Sequence, residues 1–315
     1  MSLNIPKETY VGRIREITIG SGDKAVKVGN EGCLPFYTFE GEMPNPVRIA
    51  MDVYDYPPEG WAPALLEVYG DVLNDPIAWA KKCVEQFGAE MICLQLASTD
   101  PYGMDRPSEE AARIAKQVAD AIDVPLIIWG CGNEAKDVET LRLVCELCEG
   151  KRVVVGPVVE KIYAKVGAQA IAYGQVVAAS SPIDINLAKQ LNILLSNLGV
   201  PDEQILIDPT VGGLGYGIEY TYSVMERIRI AALLHEDERL AFPMICNVAK
   251  EVWGTKEAKL SEEEAPLLGK AKERGILMEA ITAMLLALAG ADILIMRHPD
   301  SVELVRKALN ELMNA

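Results

Sequence analysis

Val47-Arg48-Ile49-Ala50-Met51-Asp52-Val53-Tyr54-Asp55 is the stretch that decides the fold. It is a continuous apolar run of strand length, and it ends on acidic and aromatic residues rather than on a glycine-rich turn. A doubly wound open sheet would more often show a Gly-rich fingerprint directly after such a first strand. Seven more runs of the same kind follow, at Met91–Ala97, Pro125–Trp129, Arg152–Val155, Gln175–Ala179, Gln204–Ile207, Phe242–Cys246 and Asp292–Met296. They are continuous rather than alternating, as parallel strands buried on both faces are. Amphipathic stretches lie between them, near 75–87, 107–121, 134–148, 160–172, 184–198, 218–236, 271–289 and finally 301–313. Asp75-Pro76 and Ser108-Glu109-Glu110 are helix starts. Gly88, Gly150, Gly174, Gly199 and Gly290 are stops. Eight strand–helix units predict an α/β chain closed into a (β/α)8 TIM barrel over 47–315.

Residues 1–46 stand outside that beat. Val11–Ile19 and Ala25–Val28 flank Gly20-Ser21-Gly22-Asp23, the pattern of a β-hairpin. Gly32-Cys33-Leu34-Pro35-Phe36-Tyr37 then leads into the barrel. This N-terminal β-appendage either closes the barrel's bottom or serves as an arm that meets another chain.

The chain has 315 residues, half of them hydrophobic, which suffices for a large core and excludes disorder. It carries 46 Asp and Glu against 30 Lys and Arg, a net charge of −16. That balance repels phosphate backbones and anionic lipid, so neither nucleic acid nor a membrane surface is expected as a partner. Mean hydropathy is +0.12, high for a soluble protein. The most apolar stretch, Ile276 to Met296, is interrupted by Glu279, Gly290 and Asp292. It reads as a helix, a Gly turn and a buried strand rather than a membrane span. With no signal-like layout over Met1–Lys7, a cytoplasmic location is expected. Seven scattered cysteines point to reduced thiols, and two histidines leave little scope for His-based metal or acid–base sites.

In barrels of this kind function collects where the strands end. Those positions hold Asp52 and Asp55; Ser98, Thr99 and Asp100; Gly130, Cys131, Gly132 and Asn133; Gly156; Ser180 and Ser181; Asp208, Pro209 and Thr210; Asn247; and His298. The set is polar but mild, with no strand-end Lys for a Schiff base and no His–Asp pair. It suits a cavity for an uncharged or large polar ligand better than a catalyst. Between strand and helix, Asp208-Pro209-Thr210-Val211-Gly212-Gly213-Leu214-Gly215-Tyr216-Gly217 offers either close backbone approach to a ligand or a flexible crossover. It is neither a dinucleotide fingerprint nor a P-loop. Cys145-Glu146-Leu147-Cys148 lies within a helix and reads as packing, since two thiols do not complete a zinc or iron–sulfur site. His298 before Pro299 reads first as a turn residue bonded to backbone, and second as a donor at the mouth. Tyr216, Tyr220 and Tyr222 read as packing more than as cavity lining.

The run Asp208 to Gly217, continued by Ile218-Glu219-Tyr220-Thr221-Tyr222-Ser223-Val224-Met225-Glu226-Arg227-Ile228-Arg229, resembles the signature of a known family. That family is the small (delta) subunit of the corrinoid iron–sulfur protein of the carbon monoxide dehydrogenase/acetyl-CoA synthase system. Ile49–Asp55, Leu94-Gln95-Leu96-Ala97-Ser98-Thr99-Asp100, Ile127-Ile128-Trp129-Gly130-Cys131-Gly132-Asn133 and Leu34-Pro35-Phe36 agree with it. The resemblance implies a non-catalytic TIM-barrel subunit, paired with a large subunit that carries a 4Fe–4S cluster and a mobile corrinoid-binding domain. The cobamide is expected between that domain and the small barrel's mouth. A methyltetrahydrofolate methyltransferase would deliver the methyl group and acetyl-CoA synthase/CO dehydrogenase would collect it. Position then marks Ser98, Asn133, Asp208, Thr210, Gly212, Gly213, Gly215, Tyr216 and Asn247 as candidate contacts to the cobamide. No residue is assigned as a cobalt ligand.

The competing reading is an enzyme, a pterin-binding methyltransferase-type barrel. Asp208-Pro209 and Asn247 look like two of the strand-end positions that such enzymes use. Val155-Gly156-Pro157 and Ser180-Ser181-Pro182 lack the carboxylate or amide expected at two others. A plain scaffold subunit, whose mouth touches no cofactor, is a third.

Overall fold

The computed structural model describes residues 6–314. A short antiparallel hairpin comes first, β1 (Glu16–Ile19) paired with β2 (Val26–Gly29). Eight parallel strands follow: β3 (Arg48–Tyr54), β4 (Met91–Gln95), β5 (Leu126–Trp129), β6 (Val154–Val158), β7 (Val176–Ser180), β8 (Ile205–Asp208), β9 (Met244–Asn247) and β10 (Ala291–Met296). They close into a barrel in sequence order, with β10 returning to β3. The expected (β/α)8 TIM barrel is therefore observed, each strand starting within two residues of its expected start.

Local sequence explains the alternation. Asp75 and Asp184 accept backbone N–H groups at the starts of helices Pro76–Phe87 and Ile185–Leu198, and Gly88 and Gly199 close those helices in left-handed conformation. Helices the sequence did not reveal are Pro63–Tyr69, Val248–Gly254 and Lys256–Lys259. At seven or fewer residues they are too short to establish a helical period.

Inside the barrel, Ala50, Met91, Cys93, Ile127, Trp129, Val154, Val176, Ala178, Leu206, Ile245, Ile293 and Ile295 form one buried cluster. The same cluster includes Ile17, Ile19, Val26 and Val28, so the hairpin plugs the end where the strands begin. Arg152 Nε donates to Thr18 O (2.7 Å), and Gly20 N donates to Arg152 O (2.9 Å), which ties the plug to β6. The hairpin thus closes the barrel's bottom, as the first reading of the appendage has it.

Two polar interruptions in the apolar stretch 276–296 have structural partners. Asp292 at the base of β10 accepts from Arg229 Nη2 and from Met244 N (2.6 Å). Glu31, from the segment after the hairpin, is buried against that pair. Glu279, on helix Ala271–Leu288, accepts from Arg297 N (2.6 Å) and His298 N (3.0 Å) and so anchors the exit of β10. Among the described residues no helix is long and apolar enough to cross a membrane.

Candidate functional site

Side chains alternate along a strand, so the inner rows continue upward in steps of two. From Ala50, Cys93, Ala178, Leu206, Ile245 and Ile295 the next inward positions are Asp52, Gln95, Ser180, Asp208, Asn247 and Arg297. These six form a polar ring at the carboxyl end of the barrel, and its two halves differ.

One half is locked. Arg297 Nε and Nη2 donate to Asp52 Oδ2 (2.8 and 2.6 Å), and Gln95 Nε2 donates to Asp52 Oδ1 (2.8 Å). The guanidinium lies 4.5 Å from the Trp61 ring centroid and 5.1 Å from that of Tyr54. Asp52 is fully buried, which raises its pKa, and Arg297 opposes the rise. The three groups satisfy one another, so this half is a structural clasp.

The other half is open. Ser180 Oγ donates to Asp208 Oδ2 (2.5 Å), and Thr210 N donates to Asp208 Oδ1 (3.0 Å). Burial pushes the Asp208 carboxyl up to about 6. Asn247 Oδ1 accepts from Lys250 N (3.3 Å) and caps helix Val248–Gly254. Its Nδ2 is buried without a partner among the described residues. Lys250 is exposed, yet its charge reaches Asp52, Asp137 and Asp208. Asp137 accepts from Cys131 N and Gly132 N (both 2.9 Å), and burial brings its carboxyl up to about 6.

Of the residues expected at the site, the ring brings together Asp208 and Asn247, with Thr210 attached. Thr210 holds a left-handed backbone (φ 58°), and its hydroxyl donates to Ser181 O (2.7 Å). The glycine loop folds on itself: Gly212 N donates to Thr221 Oγ1 (2.9 Å). A Cβ on Gly212 would lie 2.8 Å from the Gly217 carbonyl carbon, so close backbone packing requires glycine there. Gly213 is buried, whereas Gly215 and Tyr216 are exposed, and the Tyr216 hydroxyl donates to Glu257 (2.6 Å). Ser98 is fully buried, with its amide (3.0 Å) and its hydroxyl both given to Asp55. Asn133 caps helix Glu134–Leu147 through Lys136 N (3.2 Å). His298 caps helix Pro299–Met313, its Nδ1 accepting from Asp300 N (3.1 Å), and Cys145 and Cys148 are buried packing residues.

Sequence reading missed Gln95 and Arg297. The strand-end list passed over Gln95 inside β4 and stepped from Met296 to His298. Counting in twos from Ile295 finds Arg297. Around the ring, loops and helix starts after β4, β8 and β9 present outward-facing apolar side chains. Tyr102 is 94 % exposed and Leu267 97 %, with Met104, Tyr220 and Leu268 also exposed.

Comparison with known proteins agrees with this architecture. Residues 16–309 match the family described as CO dehydrogenase/acetyl-CoA synthase delta subunit. The acetyl-CoA decarbonylase/synthase complex subunit delta of Archaeoglobus fulgidus is 38 % identical, over 97 % of this chain and 70 % of that protein. Subunit delta 1 of Methanosarcina thermophila is 40 % identical, over 94 % and 68 %. Among solved structures, a dihydropteroate synthase from Xanthomonas albilineans superposes with a TM-score of 0.58 at 12 % identity, over 95 % of this chain and 98 % of that one. The enzyme from Stenotrophomonas maltophilia gives 0.55 at 15 %, over 86 % and 95 %. At such identities the likeness shows the barrel fold alone.

Proposed function

The chain belongs to the CO dehydrogenase/acetyl-CoA synthase delta-subunit family, and from that premise we propose that its barrel mouth shelters a cobamide in a methyl-carrying complex. The cobamide supplies a cobalt centre able to take up and release a methyl group. This chain's residues bind, orient and exclude water, and they take no part in making or breaking the methyl bond. The 4Fe–4S cluster and a mobile corrinoid-binding domain belong, on this reading, to a large subunit that closes over the mouth. Methyltetrahydrofolate methyltransferase and acetyl-CoA synthase/CO dehydrogenase dock in turn, in the cytoplasm.

The observation that carries the reading is an exposed apolar rim above a ring with an unpaired buried donor. Tyr102, Met104, Tyr220, Leu267 and Leu268 are large apolar side chains left exposed on the segments that follow the strands' carboxyl ends, and clustered exposed apolar surface is characteristic of interaction sites. Asn247 Nδ2 below them lacks an acceptor among the described residues. A broad, carboxamide-fringed macrocycle roofed by a second protein fits both. Native mass spectrometry of the protein purified anaerobically from its own cells tests this. A larger partner together with a corrinoid mass is expected; a lone barrel or homo-oligomer without cobalt would overturn the reading.

A pterin-binding methyltransferase-type enzyme is the second reading, and the Asp208–Asn247 pairing of acceptor and donor is the feature that favours it. One Xanthomonas albilineans dihydropteroate synthase of similar fold was solved with 7,8-dihydropteroate. Folate binding by the isolated chain is the discriminating measurement.

A further inference from the structure

We propose that Ser180, Asp208 and Asn247 form a subsite for a single amide edge, a carbonyl beside an N–H, on whatever molecule occupies the mouth. The inference deepens the reading above and rests on it for location, but its argument is the ring's own chemistry. Asp208 is 5 % exposed and Asn247 6 %, so the pair is sunk below the rim at the carboxyl end of the strands, and Asp52 opposite is 0 % exposed. Each Asp208 oxygen accepts one bond, from Ser180 Oγ and from Thr210 N. A carboxylate offers about four lone-pair sites, so capacity for an incoming N–H remains. Asn247 cannot turn its amide over, because Oδ1 is held as the cap on Lys250 N. That bond commits Nδ2 to donation, and it is the unpaired atom.

A buried donor left without an acceptor is costly, so a group that supplies one to Asn247 Nδ2 gains by binding there. An acceptor on one strand end and a committed donor on the next are complementary to –C(=O)–NH–. A simple carboxylate ligand would be repelled by Asp208, and an amine would leave Asn247 Nδ2 unpaired. The amide edge has two possible sources. It is either a side-arm carboxamide of a cobamide or the lactam edge of a pterin ring. The same pair reads both.

The test titrates the full chain, by calorimetry, with three probes: cobinamide, its analogue with side-arm carboxamides hydrolysed to acids, and tetrahydrofolate. Asn247→Asp keeps a cap oxygen for Lys250 N but replaces the donor with an acceptor, and Asn247→Ser keeps the cap while withdrawing the reach. Circular dichroism and thermal melting identify a variant that fails to fold, and the other then carries the test. The parent is expected to bind an amide-bearing probe, with either variant weakening it roughly tenfold or more. Preference for cobinamide over its acid analogue identifies the carboxamide source, and tetrahydrofolate binding lost in the variants identifies the lactam source. Binding that is unchanged in a folded variant overturns the subsite while leaving the corrinoid reading to the native-mass experiment. No binding of any probe by the parent at millimolar concentration also overturns it.

Discussion

Replacing Arg297 by Met should be among the most damaging single changes in the barrel. In the native protein Asp52 accepts two bonds from the guanidinium and one from Gln95, at 2.6–2.8 Å, with Asp52 0 % and Arg297 3 % exposed. Met keeps the apolar contact with Trp61 but leaves Asp52 one bond and no countercharge. Removing one partner of a buried pair costs about 3–5 kcal/mol because the other charge stays uncompensated. At a urea slope of about 3 kcal/mol/M, the unfolding midpoint should fall by about 1–1.7 M. The loss should depend on pH. Burial already raises the Asp52 pKa against Arg297, and without the arginine it rises further, so the folded variant holds a proton that the unfolded chain releases. Each pH step across that window then removes about 1.4 kcal/mol more. The Asp52→Leu/Arg297→Met double variant removes both charges and should recover most of the loss. Urea unfolding at pH 5 and pH 8, followed by tryptophan fluorescence, measures all of this. A single-variant loss below about 1 kcal/mol, or a double variant as unstable as the single, would refute the clasp.

Three further outcomes are expected. Glu31 is buried beside Asp292, and burial, reinforced by that neighbour's charge, lifts its pKa well above the ordinary 4.5. A raised acid contributes stability that is complete below pH 4.5 and lost as pH climbs through the native value, so Glu31→Gln should flatten the fall of urea midpoint with pH above 4.5. A Cβ at Gly12 would sit 1.9 Å from Ala232 O, where the segment bonds to Leu233 O (2.9 Å); Gly12→Ala should detach residues 11–15, read as faster amide exchange there while the barrel strands stay protected. Carbon-detected NMR of the side-chain carboxyls should give midpoints near 6 for Asp137 and Asp208, and midpoints near 4 would show that water reaches both.

Most of the frame was legible because parallel barrel strands are apolar on both faces and the main helix after each strand is long enough to show its period. The family resemblance rested on equally local stretches, above all 208–229. What escaped was tertiary. Arg297 reads as a charged residue beside a turn until β10 and β3 are neighbours, and only then does it meet Asp52. Glu279 and Asp292 look like flaws in an apolar run until Arg229 and the exit of β10 supply their partners. The glycine loop could be read either as a cradle or as a crossover. Thr221, one helical turn into the next element, folds it back and takes the Gly212 amide. Tyr216 turns aside to Glu257, a residue in a four-residue helix with no sequence period to reveal it.

The hairpin plug bears on how such a subunit is used. With Ile17, Ile19, Val26 and Val28 filling the far end, the barrel is a cup with a single opening. Whatever rests at the lip arrives and departs on the same side. On the methyl-carrier reading, a protein that delivers to it and a protein that collects from it would compete for one seat. Each would act as a reversible inhibitor of the other, and turnover would peak where neither holds on for long. Tight binding by either partner would slow the cycle it serves.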